Sequence, residues 1–190
     1  MLASGTVLDI GDHSVEVIAN PETQDDRYLL RIEADPGGPG IKGDFPHVHP
    51  SLIETFTCVS GSMIAKVGRT TSEVGVGDKL EVPEGEVHGF LNTGTDLLVV
   101  ESEVIFPNGY DPRLDLMHFA ELYDRLKRER PVNRKTGEPP ILQMAVVTHA
   151  WRTVIKQPGV AGVVMPTLSA VGRLAGYRSQ PFEDDLAVRP

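Results

Sequence analysis

The segment "PHVHPSLIETF", residues 46–56, decides how this chain is read. It sets His47 and His49 on alternate residues and brings Glu54 after Pro50 and three further residues. Successive side chains of a strand point to opposite faces, so His47 and His49 share one face and Val48 takes the other. Glu54 has the wrong parity for the same unbroken strand. Pro50 cannot donate to a ladder and predicts a turn or break. With the chain re-phased there, Glu54 points inward at the start of the next strand, and Phe56 and Cys58 share its face. Two imidazoles and one carboxylate are the smallest ligand set of many transition-metal sites.

A fourth arm lies in "GDKLEVPEGEVHGFLN", residues 77–92. In Pro83-Glu84-Gly85, Pro presets φ and Gly accepts φ > 0, which predicts a turn that delivers His88 to the start of a new strand. His88, Phe90 and Asn92 then share a face. If that strand lies beside the segment carrying His47, His49 and Glu54, the four residues form a cage with one or two open positions.

Outward from these segments, β-prone runs at 14–19, 27–34, 54–60, 63–67, 79–82, 88–92 and 97–105 alternate with Gly, Pro, Asn and Asp. Such spacing indicates an all-β sandwich or barrel. The character changes near residue 110. Over 114–129, Met117, Leu122 and Leu126, with Phe119 and Tyr123 nearby, recur at helical spacing; Lys127, Arg128 and Arg130 crowd the end where the helix dipole favours cations. A polar linker, 133–140, precedes a second helix over 141–155 and a third over 163–174, interrupted by Pro166 and stopped by Gly176. The expected organisation is a β-barrel domain over 1–112, a helical extension over 113–178 and a polar tail over 179–190.

The 190 residues suffice for one well-buried core and are short for two. A formal charge of −9 argues against a nucleic-acid partner, which needs clustered Lys and Arg. The single cysteine, Cys58, excludes an internal disulfide framework and fits a reducing compartment. The first five residues lack the pattern of a signal peptide, so a cytoplasmic location is the default expectation. Residues 158–176 carry no acid, with Arg173 and Arg178 at one end. They are too short and too broken by Gly and Pro for a membrane span of about 20 residues. Packing on the barrel or on a second subunit is the favoured reading; an apolar lid over a substrate cavity and peripheral membrane contact rank below it.

The two quoted segments together resemble the paired motifs of the cupin superfamily. Gly43, His47, His49, Glu54 and Gly61 are similar to the first motif, although Gly43 stands four residues before His47 and Gly40 seven, where that motif spaces them by six. Gly77, Pro83, Gly85, His88 and Asn92 match the second at every marked position. The resemblance implies a mainly β fold, a double-stranded β-helix or jelly-roll barrel, followed here by the C-terminal α-helical extension. It implies His47, His49, Glu54 and His88 as ligands of one divalent transition metal. Fe, Mn, Zn, Ni and Cu all suit neutral imidazoles and one carboxylate. It also implies a homodimer.

The function expected is a metal-dependent enzyme acting on a small hydrophobic or aromatic molecule, either a dioxygenase or a Lewis-acid isomerase, cyclase or decarboxylase. A non-catalytic cupin that binds a small ligand or metal is the alternative. No Arg or Lys cluster accompanies the motifs, which disfavours a phosphosugar. Glu54 is the candidate acid or base, with Glu101 behind it; Phe56 and Phe90 are candidate substrate contacts. Cys58 reads as a small buried hydrophobe, Asn92 as a satisfier of backbone groups, His13, His118 and His149 as surface or packing residues, and Glu101 and Glu103 as facing solvent.

Overall fold

The described residues form ten strands, seven of them along the β-prone runs. The computed structural model describes residues 1–10, 12–38, 46–129 and 139–179. One sheet has six strands in the order β1 (Val7–Asp9), β2 (His13–Ala19), β3 (Arg27–Ala34), β10 (Leu98–Ile105), β5 (Ile53–Ser60) and β8 (Lys79–Val82). The other has four, in the order β4 (His47–Val48), β9 (Val87–Asn92), β6 (Met63–Val67) and β7 (Thr70–Val74). All described pairings are antiparallel. β3 shows the period-2 pattern plainly: Tyr28, Leu30, Ile32 and Ala34 are buried between less buried neighbours. These side chains meet Leu98, Val100 and Val104 of β10, Phe56 and Cys58 of β5, and Met63 and Ala65 of β6 in one core shared by both sheets. This is the jelly-roll barrel expected from the motifs.

Two strands escape the sequence pattern. β7, "TTSEV", is an edge strand with only Val74 buried, so it has no apolar alternation to read. β1 is three residues long and buries only Leu8. The turn between β5 and β6 depends on Gly61, which has φ +85° and would place a Cβ 3.2 Å from Leu98 Cα. A side chain there meets both a backbone penalty and a steric one.

After a 3-10 turn at Pro112–Leu114, α1 (Leu116–Glu129) begins on Asp115, whose Oδ1 accepts the backbone N–H groups of Met117 and His118. Oδ2 of the same buried carboxylate accepts the hydroxyls of Tyr28, at 3.0 Å, and Tyr110, at 2.7 Å. One side chain thus caps the helix and ties it to the barrel. Met117 enters the barrel core, while Leu126 forms a second apolar cluster with Val147 of α2.

The second helix is shorter than its expected span. α2 covers Ile141–Ala150, because the chain beyond Trp151 turns to reach the ligand strand: Lys156 N–H donates to Val48 O at 2.8 Å and Val48 N–H to Lys156 O at 2.9 Å. The third helix is longer, with α3 (Gly159–Leu174) starting directly after Pro158 and running through Pro166. It lies on α2, where Gly172 is so close that a Cβ would stand 2.7 Å from Leu142 O. Its residues belong to neither apolar cluster among the described residues. Gly40, Gly43, most of the expected linker and all but Ser179 of the expected tail lie outside the described residues. No helix of the described residues is long and apolar enough to cross a membrane.

Candidate metal centre

Backbone register assembles the site. β4 pairs with β9 so that His47 stands opposite His88. Pro50 and Ser51 form a turn, and β5 then begins on the opposite sheet with Glu54 directed inward. The turn at Pro83-Glu84-Gly85 is fastened to the first segment, since Gly85, at φ +79°, donates its N–H to His49 O at 2.9 Å. The cage therefore spans both sheets, with His47 and His88 on strands of one, His49 immediately after β4, and Glu54 on a strand of the other.

Each of the four residues can present one ligand atom such that all four lie within 4.8 Å of one another. Two ligands bound at ~2.1 Å to one ion stand about 3 to 4 Å apart, so the described spacing closes on an ion with small adjustments. The imidazole of His47 lies 4.8 Å from that of His49 and 4.3 Å from that of His88, centroid to centroid. His49, Glu54 and His88 are buried, whereas His47 is half-buried and marks the side on which the cage meets solvent.

The tautomers are set by main-chain carbonyls. His49 Nδ1 donates to Val154 O at 2.8 Å, and His88 Nδ1 donates to Glu86 O at 3.0 Å. A carbonyl only accepts, so both Nδ1 atoms carry hydrogen and both Nε2 atoms face the cage. His88 Nε2 lies 2.9 Å from Glu54 Oε2 and His49 Nε2 3.4 Å from the same oxygen. His49 Nε2 makes no hydrogen bond; its contact with Glu54 is electrostatic. Two imidazole lone pairs aimed at one carboxylate oxygen repel unless a positive charge sits among them. A proton or a metal ion supplies that charge, and the orphaned, buried Nε2 of His49 is the atom that an ion would satisfy.

The protonation balance agrees. Burial pushes the Glu54 carboxyl up, but the charge of His49 and the hydrogen bond and charge of His88 outweigh it and hold the group well below the usual carboxylate range. Burial pushes His88 down, and its hydrogen bond to Glu54, the Glu54 charge and the Glu86 carbonyl together carry it above the ordinary imidazole value.

Residues 30–102 match the family model described as a cupin domain. The chain carries a cupin domain. Among solved structures, the cupin domain of Cnp3 from Schizosaccharomyces pombe is similar at 13% identity, over 53% of this chain and 68% of that one, with a TM-score of 0.46. A double-stranded β-helix protein of Klebsiella pneumoniae is 26% identical over 53% of this chain and 82% of its own, with a TM-score of 0.44. A predicted oxalate decarboxylase of Thermotoga maritima is 19% identical over 50% and 82%, with a TM-score of 0.45. No curated protein matches the chain.

Around the cupin cage, Phe56 is buried and Phe90 half-buried, with ring centroids 5.3 Å apart; Phe56 lies 6.3 Å from His88. Cys58 is buried, and its Sγ contacts the carbonyls of Ser60 and Gly61 rather than the cage. Asn92 Nδ2 donates to Ala34 O and Asp96 O, and Oδ1 accepts from Gly94 N–H. Glu103 meets Thr55, Lys79 and Arg27 at the sheet surface, and Glu101 is exposed, so neither carboxylate joins the cage. His118 stacks near Trp151, at 5.8 Å between centroids. The contacts that residue-type patterns miss are the carbonyls of Val154 and Glu86. A main-chain oxygen has no residue type to recognise, and Val154 is 105 residues from its partner.

Proposed function

We infer that this cupin binds one divalent transition-metal ion through His47, His49, Glu54 and His88 and converts a small, apolar organic molecule. The observation that carries the inference is the pair of Nε2 lone pairs, fixed by Nδ1 bonds to Val154 and Glu86, that converge on Glu54 Oε2. Three imidazoles and a carboxylate suit Fe, Mn, Zn, Ni or Cu. When bound, such an ion supplies a Lewis-acidic centre for a substrate oxygen or, as Fe(II), a site for O2 chemistry.

The chain's own groups bind, orient and exclude water. Phe56 and Phe90 provide an apolar wall beside His88, suited to an aromatic or aliphatic body and not to a phosphate. Glu54, held as a carboxylate near neutrality, serves first as the anionic arm of the cage; it takes up a proton only when loosened from His49 and His88. The segment after α2 places Val154 O against His49 and keeps that ring in the tautomer a ligand needs.

The test is elemental analysis of the full chain as isolated, beside His47→Ala, His49→Ala and His88→Ala. Near-stoichiometric metal in the wild type and a sharp loss in each variant are expected. Full metal retention in two of the three variants would overturn the assignment. Oxygen uptake by Fe(II)-loaded protein with aromatic or β-dicarbonyl compounds then separates the oxygen-using branch from the Lewis-acid branch.

A further inference from the structure

The α3 helix has two apolar faces, and among the described residues only one is covered. Ser169 and Gly172 are buried, and Gly172 lies against Leu142 and Val146 of α2. On the opposite side Val160, Val164, Thr167, Val171 and Leu174 follow one another at spacings of 4, 3, 4 and 3 residues, and Val163 flanks them. All six are exposed: Val160 by 80%, Val163 by 76% and Leu174 by 90%. Arg173 is the one charged residue of the helix and falls between the two faces.

The 4-3-4-3 spacing is the seam of a two-helix coiled coil, in which side chains repeat every 3.5 residues. In that register Val164 and Val171 take the a positions, where β-branched residues favour two strands, and Leu174 takes a d position. We propose that α3 pairs with α3 of a second copy of this chain about a two-fold axis. The six side chains expose on the order of 500 Å² per copy, so an isologous contact removes on the order of 1,000 Å², which reaches the lower end of specific interfaces. The seam is uncharged, so two copies meet there without opposed like charges. An anionic bilayer fits less well, since the chain carries −9 overall and the stripe has no aromatic anchor.

Sedimentation equilibrium of the full chain at micromolar concentration tests the proposal. The wild type is expected to run as two chains of 20.7 kDa each, and Val164→Glu/Val171→Glu as one, with unchanged far-UV circular dichroism and metal content. Thr167 stands at the centre of the stripe, where parallel and antiparallel pairs both bring it to its counterpart. Thr167→Cys is therefore expected to cross-link under mild oxidation with diamide, because the native thiol, Cys58, is buried. A monomeric wild type, a dimer that persists in the double variant, or an uncrosslinked Thr167→Cys overturns the proposal. So does monomeric wild type that floats with phosphatidylserine vesicles when the double variant does not, which assigns the stripe to a membrane surface.

Discussion

Replacing Glu54 by Gln separates the metal-binding role of the cage from its structural role. The side chain is buried, with Oε2 2.9 Å from His88 Nε2 and 3.4 Å from His49 Nε2. Glutamine keeps the volume, and its amide can donate to the His88 lone pair that the Glu86 carbonyl already directs inward. The metal-free fold thus exchanges a charge-assisted contact for a neutral hydrogen bond, a loss of about 1–2 kcal/mol. For a chain of this length that lowers Tm by about 5 °C. Metal binding suffers more. Loss of a partner behind a ligand already lowers affinity by about 10–100-fold, and here the anionic ligand itself goes. A fall of about 100-fold or more, ~3 kcal/mol, is expected. Equilibrium dialysis with metal analysis gives the affinity, and a thermal scan of chelator-stripped protein gives the fold term. Wild-type metal affinity in Glu54→Gln, or a metal-free Tm lowered by more than ~10 °C, would refute the reasoning.

Asp115→Ala removes the cap of α1 and strands the hydroxyls of Tyr28 and Tyr110, so destabilisation by about 3–5 kcal/mol and a Tm lowered by about 10 °C are expected. A change within experimental error would show that this carboxylate does not tie the helix to the barrel. Burial, then Asp115, pushes both tyrosine hydroxyls above their ordinary 10.0. Above that pH the unfolded chain sheds protons the folded chain keeps, so the unfolded state binds fewer and stability falls as pH rises. Thermal scans from neutrality upward should show this decline beginning near pH 10 and reduced in Tyr110→Phe; an equal decline in both proteins would count against it. Cys58 is buried, and burial pushes its thiol up, so a thiol reagent should label it slowly in native protein and completely in denaturant. Rapid native labelling would contradict that placement.

The candidate ligand set was legible because each of its cues is local. Alternation fixes the shared face of His47 and His49, Pro50 breaks the strand and re-phases Glu54, and a Pro-Glu-Gly turn delivers His88. Strands with a buried face, such as β3 and β10, were legible for the same reason. β7 was not, because an edge strand leaves most of its side chains in water. The helix ends also depended on distant partners. α2 stops early because Lys156 joins the edge of Val48, and Pro166 is accommodated within α3.

Residue type and spacing by themselves thus named four candidate side chains and an all-β sandwich or barrel, and the resemblance to the cupin motifs narrowed that to a jelly roll. Tertiary structure decided which atoms face inward and which surface stays bare. The imidazole tautomers answer to the carbonyls of Val154 and Glu86, and among the described residues the Val160–Leu174 stripe is left open because α3 turns its small-residue face to α2. Both outcomes depend on groups that meet only when the chain is folded: a main-chain oxygen has no residue pattern of its own, and which face of α3 stays uncovered follows from where α2 packs.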